Sequence, residues 1–184
     1  NYLIRVKYGK LTDNLTNGIN ISVPEATGAI AFYKKSHLII KVKSRNGYLT
    51  FMMGKILINE KGTAGRFDTL WTFYVKNTTG FSRGQDIYYD AQTDCLFIPQ
   101  CNNANNVNKI MVVNLSGESE TYKGNKLYTP QDIITVDKQK DYSKYEIESL
   151  VIAPKRHIVM VANIVPKGTK TADDAVERIS NLKF

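Results

Sequence analysis

The chain has 184 residues, with 25 lysines and arginines against 17 aspartates and glutamates, giving a formal charge of +8 at pH 7. A hydrophobic fraction of 42% with 23% charged residues is typical of a globular protein and excludes a wholly disordered chain. No stretch approaches the roughly 18 consecutive apolar residues that a membrane helix requires. The positive surplus favours anionic partners, although a lysine-rich solvated surface alone would also produce it.

The beginning of the sequence shows no signal peptide. Asn1 is followed at once by a predicted strand, so we expect a processed protein or a piece of a longer one. The length allows a substantial core in a single domain, residues 1–184.

Strands dominate the first half of the chain, because short runs of Tyr, Ile, Val, Thr and Phe alternate with turn residues. Asn46-Gly47 is a strong two-residue turn signal, and Gly54 divides two predicted strands. The predicted strands lie at residues 2–8, 19–23, in a hairpin at 28–42, and at 48–53, 55–59 and 70–75.

The second half repeats this pattern with hairpins at residues 85–100 and 148–162. The five asparagines between Cys101 and Asn108 predict a long surface loop, which leads to a buried strand at 109–115. Residues 118–145 are the least clear and contain a short strand at 133–136. Residues 173–180 fit either a helix capped by an aspartate or an outer strand at 175–179, and the strand is favoured.

The two cysteines do not predict a disulfide. Cys95 and Cys101 lie on one predicted strand and would be separated by about 20 Å at ~3.3 Å per residue. A bridge would form only if the chain turned back after Pro99. We expect two unbridged, at least partly buried thiols, which fits a reducing compartment or a Gram-positive exterior.

The three hairpins align as copies of one unit. In each, a short apolar strand meets a polar turn and a second strand that opens with His37, Cys95 or His157. A fixed period of this size predicts a modular all-β fold with units near residues 19–75, 80–136 and 145–184. Four-stranded blades in radial array give this pattern, so we expect a propeller or part of one, with a β-sandwich as the alternative.

Residues 80–90, followed by Cys-Leu-Phe-Ile-Pro and Lys-Ile-Met-Val-Val-Asn-Leu, resemble the blade pattern of bacterial β-propeller domains. Similar sequences occur in lactonase-like propellers and in propeller modules of Gram-positive surface proteins. The resemblance extends over residues 80–165 and rests mostly on structural motifs, and the first unit departs from it. It implies a propeller fold and a central channel where ligands bind.

The resemblance also implies a possible calcium site. Lactonase-like enzymes place carboxylates and asparagines at the channel, because hard cations prefer oxygen ligands. The positions that would match are Gln85 and Glu148 as the aligned pair, with Asn103 and Asn163 after the second strands. Asp86 and Glu146 would contribute only if their side chains turned inward.

The sequence carries no motif for nucleophilic or metal catalysis. It contains no Gly-x-Ser-x-Gly elbow and no His-Glu-x-x-His or Cys-x-x-Cys spacing, and His37 and His157 are expected to close hairpins. A ligand-binding role is better supported, because eleven tyrosines and one tryptophan offer flat faces with polar tips. Nucleic acid would use the same aromatic residues with the lysines, but no RNP or OB signature is present.

We therefore predict a non-catalytic binding module of a bacterial surface or secreted protein, recognising an anionic or carbohydrate polymer such as cell-wall material. The parent chain would carry further blades or domains, and no cofactor is expected. The alternative is a calcium-dependent propeller hydrolase or lactonase, and a cytoplasmic location is the alternative to the cell surface. The predicted ligand-binding residues are Lys41, Lys43 and Arg45 as a basic stripe, with Trp71, Tyr88, Asn102, Asn103 and Asn163.

Overall fold

The computed structural model describes residues 2–6, 18–34, 36–45, 47–81, 84, 86–102, 107–136, 141–153 and 157–179. Side chains are described from residue 21 to residue 173, apart from Arg45. The described strands are β1 (Tyr2–Val6), β2 (Gly18–Ser22), β3 (Thr27–Tyr33), β4 (His37–Arg45), β5 (Tyr48–Ile58), β6 (Ala64–Lys76), β7 (Tyr88–Asp90), β8 (Cys95–Asn102), β9 (Val107–Asn114), β10 (Glu120–Tyr122), β11 (Asn125–Tyr128), β12 (Asp132–Val136), β13 (Tyr142–Ala153), β14 (His157–Pro166) and β15 (Asp173–Ile179).

The described strands form three open sheets, so the all-β prediction is confirmed. Sheet 1 has the order β1-β2-β6-β5-β4-β3, and its strands β3 to β6 form an antiparallel meander. Both β2 and β11 pair in parallel with the long strand β6, at opposite ends of it. Sheet 2 has the order β12-β9-β8-β7, and sheet 3 the order β13-β14-β15. The described residues contain no helix that is long and apolar enough to cross a membrane.

Two apolar cores hold the sheets together in the order 1, 2, 3. The first joins sheets 1 and 2 and includes Ile39, Phe51, Leu96 and Met111, all fully buried. The second joins sheets 2 and 3 through residues such as Phe97. Sheet 2 is therefore the middle layer, and both of its faces are covered by apolar side chains, which is the main stabilising contribution in such a stack.

Each sheet contains one of the three predicted hairpins, which are β3–β4, β7–β8 and β13–β14. Matching side chains of the three hairpins point towards the same end of the stack. Leu38, Leu96 and Ile158 follow the hairpin turn at the same position. Leu96 and Ile158 both pack towards the preceding sheet, and Leu38 points away from sheet 2. We name this side of each sheet its leading face.

The opposite side of each sheet is named its trailing face. On the second strand of each hairpin, the residue directly after Leu38, Leu96 or Ile158 points to this face. Ile39 packs on sheet 2 and Phe97 packs on sheet 3, and the matching residue Val159 lies on the outer side of sheet 3. Because strand side chains alternate, the whole of each second strand keeps this assignment. Sheet 1 thus contacts sheet 2, and sheet 2 contacts sheet 3, through the trailing face and through matching positions of their hairpins.

The predicted division at Gly54 is wrong, because β5 runs unbroken from Tyr48 to Ile58. The register with β6 shifts between Met53 and Gly54, and a Cβ at Gly54 would lie 2.1 Å from the carbonyl oxygen of Asp68. Glycine at position 54 therefore allows the backbones of β5 and β6 to approach each other closely, as glycine does at other strand bulges.

The asparagine-rich segment is also shorter as a loop than predicted. Strand β8 continues to Asn102 and β9 begins at Val107, and residues 103–106 of this segment lie outside the described part of the chain. The hairpin of β10 and β11, which leaves sheet 2 to join sheet 1, was not predicted. The outer strand favoured for the C-terminal segment is present as β15, and both cysteines are buried and form no disulfide, as predicted.

Candidate functional site

The predicted basic stripe is not a continuous surface feature. Lys43 is exposed, but Lys41 is buried, with 6% of its surface accessible. The side chain of Arg45 lies outside the described part. The physical reason is that Lys41 lies on the trailing face of sheet 1, which sheet 2 covers.

Buried Lys41 is held by the segment that precedes β7. Its Nζ donates a hydrogen bond of 2.9 Å to the carbonyl oxygen of Gly84. Burial lowers the pKa of Lys41 from 10.5 to about 8, and the nearby Cys101 and Asp86 oppose this shift. Lys41 is therefore a contact between sheets 1 and 2 rather than part of an exposed cationic surface.

Polar contacts at the same end of the stack join sheet 2 to sheet 3. Asp86 Oδ2 accepts hydrogen bonds from Ser149 Oγ at 2.9 Å and from the Leu150 amide at 3.0 Å. Cys101 Sγ donates to Glu146 Oε1 at 3.2 Å, and Glu146 is 2% exposed. Asp86 and Glu146, which lie near the predicted channel positions, thus stabilise the contact between sheets 2 and 3.

Two buried amides on neighbouring strands behave differently. Asn108 donates from Nδ2 to the Tyr145 carbonyl at 2.8 Å and accepts from the Ile147 amide at 3.0 Å, so it fixes β13 beside sheet 2. Gln100, only 1% exposed, has no hydrogen-bond partner among the described residues for either amide atom. The surface loop predicted to extend to Asn108 is wrong at this residue, because Asn108 is fully buried in β9.

The predicted calcium ligands are only partly described. Gln85 and Asn103 lie outside the described residues, Glu148 is half-buried, and Asn163 Oδ1 accepts a hydrogen bond of 3.0 Å from Lys144 Nζ. Within the described residues, no group of three or more histidine, cysteine, aspartate or glutamate side chains could hold a metal ion.

The two histidines that open the second strands remain apart, in sheets 1 and 3. His37 Nδ1 lies 3.2 Å from Ser36 Oγ, and its ring centroid is 6.3 Å from that of Trp71. His157 Nδ1 is buried, and no hydrogen-bond partner for it lies in the part of the chain that the structure describes. Among the described residues no carboxylate forms a hydrogen bond with either ring, so the contact between His37 and Ser36 is not part of a catalytic arrangement.

A pocket of about 470 Å³ lies beside Trp71 and is here named the Trp71 pocket. One wall comes from the trailing face of sheet 1 and the other from the β10–β11 hairpin, because Lys126 pairs with Phe73 across the parallel β11–β6 contact. Its lining residues are Tyr33, Met53, Trp71, Thr72, Phe73, Leu115, Gly124, Asn125, Lys126 and Tyr128.

Aromatic packing makes the floor of the Trp71 pocket rigid. The Phe73 ring stacks on Phe51 and meets Tyr128 edge to face at 5.7 Å, while the Tyr128 hydroxyl donates to the Leu115 carbonyl at 3.0 Å. Trp71 itself remains 44% exposed. A half-exposed indole above a fixed aromatic floor can contact a ligand at little cost in side-chain entropy.

Of the predicted ligand-binding residues, Trp71 lies in this pocket, whereas Tyr88 is half-buried and packs towards sheet 3. The contributions of Tyr33 and Lys126 were missed. Tyr33 ends β3 beside the turn of the first hairpin, and Lys126 lies within residues 118–145, where the sequence shows no clear strand alternation. The clustering of aromatic residues in the sequence was the signal that did find Trp71.

Comparison of the chain with protein-family models, with curated proteins and with solved structures finds no match in any of the three.

Proposed function

We propose that this protein is a non-catalytic binding module, and that the Trp71 pocket binds an anionic carbohydrate polymer such as bacterial cell-wall glycan. The observation that carries the proposal is the half-exposed Trp71 indole in a pocket of about 470 Å³ that also contains Tyr33 and Lys126. Pockets for small ligands commonly measure about 300–1,000 Å³, so one or two sugar rings would fit.

We also propose that the three sheets are successive blades of a β-propeller. The support is the shared orientation of the three hairpins, with sheets 1 and 2 each contacting the next sheet through the same face. In this arrangement the β10–β11 hairpin is an insertion into the second blade that reaches back to the first, and the Trp71 pocket lies between them.

Carbohydrate fits the pocket because its chemistry is mixed. The CH faces of a sugar ring pack on aromatic faces, here Trp71 and Tyr33, while its hydroxyl groups need polar partners at the rim. Asn125 supplies such groups at the same opening.

An anionic ligand is favoured by the lysines around the opening. Lys126 is exposed and its Nζ lies 5.8 Å from the Tyr128 ring centroid, and Lys34 Nζ lies 4.8 Å from the ring of Tyr33. These two cations are part of the overall surplus of +8 and would attract uronic-acid or phosphate groups. The same charge favours the bacterial surface polymers, which are rich in such groups, as the target.

The test uses the single tryptophan as its reporter, since Trp71 is the one tryptophan in the sequence. Its emission is followed while oligogalacturonate, or a neutral galactose oligomer of equal length, is added. We expect saturable quenching or a blue shift with the acidic oligomer, weaker binding of the neutral one, and loss of affinity at higher salt. No spectral change with either oligomer, together with no retention on purified cell wall, would contradict the proposal.

Calorimetry with variants assigns the binding to the pocket. Trp71→Ala should weaken binding at least about 30-fold, because buried aromatic anchors contribute about 2 kcal/mol or more and 1.4 kcal/mol is tenfold. Leu70→Ala is the matched control, since Leu70 neighbours Trp71 on β6 and is 46% exposed but does not line the pocket. Equal losses of affinity in both variants would show that the ligand does not bind in the Trp71 pocket.

A further inference from the structure

The two ends of the three-sheet stack expose apolar residues at positions that are buried inside it. On the leading face of sheet 1, Phe32 is 83% exposed, whereas the matching Tyr89 in sheet 2 is 6% exposed and Ile152 in sheet 3 packs in the second core. Ile30 is 40% exposed, and its counterparts Ile87 and Leu150 are 3% and 2% exposed.

The trailing face of sheet 3 shows the complementary pattern. Val151 is 46% exposed, and its counterpart in sheet 1, Ala31, is 7% exposed. Val161 is 36% exposed, and it matches Lys41 and Pro99, which are both buried. Val151 pairs directly with Val159 across β13 and β14, so the exposed valines form one patch.

From this we propose that the trailing face of sheet 3 docks onto the leading face of sheet 1 in a second copy of the chain, head to tail. The new contact would continue the series already present, in which β3 contacts β7 and β7 contacts β13. In the second copy, β3 would occupy the place next to β13. The centre of the leading face, around Ile40, is already buried, so the contact is expected along β3.

Head-to-tail contacts between copies either close into a ring or grow into an open filament. Two copies with three sheets each would give six, which lies within the roughly four to eight blades of closed propellers. We therefore expect a closed dimer. The proposal does not depend on carbohydrate binding, because neither Phe32 nor Val161 lines the Trp71 pocket.

The experiment measures the molar mass of the full chain by size-exclusion chromatography with light scattering over a range of concentrations. The unaltered chain should be a dimer, and Phe32→Lys and Val161→Lys should each be monomers. Both side chains are exposed in the single copy, so circular dichroism should show folded variants with similar melting temperatures. Leu57→Lys is the control, since Leu57 is 41% exposed at the far end of β5 and should leave the dimer intact.

Mixing the two monomeric variants gives the deciding result. The Phe32→Lys chain keeps its trailing face and the Val161→Lys chain keeps its leading face, so the mixture should form a heterodimer through one intact contact. A monomeric unaltered chain would overturn the proposal. So would a Val161→Lys variant that still dimerises, or a mixture that stays monomeric, because both are inconsistent with head-to-tail docking.

Discussion

Lys41 is the residue whose surroundings differ most from the sequence-based prediction. Spacing by two on a strand correctly predicts that Lys41 and Lys43 share a face. It cannot show that the neighbouring sheet covers only the first of them, because that contact involves Gly84, more than forty positions away. Burial of an ammonium group is costly, and a single hydrogen bond to a carbonyl offsets it only in part.

The burial of Lys41 predicts a pH dependence of stability. Its pKa is about 8 in the folded chain and 10.5 in the unfolded chain, so between these values the unfolded chain binds more protons. The free energy of unfolding should therefore rise with pH from about 8 to 10.5, by up to roughly 3 kcal/mol from this residue.

Chemical denaturation at several pH values isolates this contribution through Lys41→Met. The difference in unfolding free energy between the unaltered chain and the variant should increase in favour of the unaltered chain across this pH window, and be constant below it. Lys43→Met, at an exposed position on the same strand, should show no such trend. A flat difference for Lys41→Met would mean that the ammonium group is solvated in the folded chain.

At the scale of single strands, Gly54 shows how a residue with two possible roles is misassigned from sequence. Glycine often separates strands, but here it permits β5 to continue while the backbone of Asp68 lies against it. Gly54→Ala places a Cβ 2.1 Å from that carbonyl oxygen, and should destabilise the fold by about 1–3 kcal/mol through strain.

Gly28→Ala is the matched substitution in β3. The added Cβ would meet no atom closer than 4.0 Å, and the backbone needs no positive φ, so thermal unfolding should be unchanged or slightly higher. If Gly54→Ala melts at the same temperature as Gly28→Ala, the close approach between β5 and β6 is not present in solution.

The elements that sequence reasoning located well are those with local signals. The three hairpins combine a polar turn with alternating apolar residues, and all three form antiparallel pairs. The elements it missed depend on distant partners. The strands β10 and β11 are three and four residues long and find their place through β6, some fifty positions earlier in the chain.

The same distinction applies to the candidate site. Trp71 was identified because aromatic residues cluster around it in the sequence. The pocket forms only when Tyr33 of β3, Trp71 of β6 and Lys126 of β11 lie close together. No local sequence pattern predicts this. Asn108 looked like a loop residue because asparagines surround it, whereas it is fully buried and bonded to β13.

For the whole molecule, the central feature is that sheet 2 lies between the other two. All residues from Cys95 to Gln100 are buried, as are those from Ile110 to Val113, because both faces of β8 and β9 meet apolar side chains. The Trp71 pocket, the contacts of Lys41 and Asn108, and the exposed ends of the stack all follow from this order of layers.

Native-state hydrogen exchange tests this order most directly, because amides in the best-covered strands open only when the whole domain unfolds. We predict that backbone amides of β8 and β9 exchange most slowly, with free energies of opening equal to that of global unfolding, and that β10, β11 and β14 exchange faster. If amides of sheet 1 or sheet 3 exchange more slowly than those of β8 and β9, sheet 2 is not the middle layer and the proposed stack is contradicted.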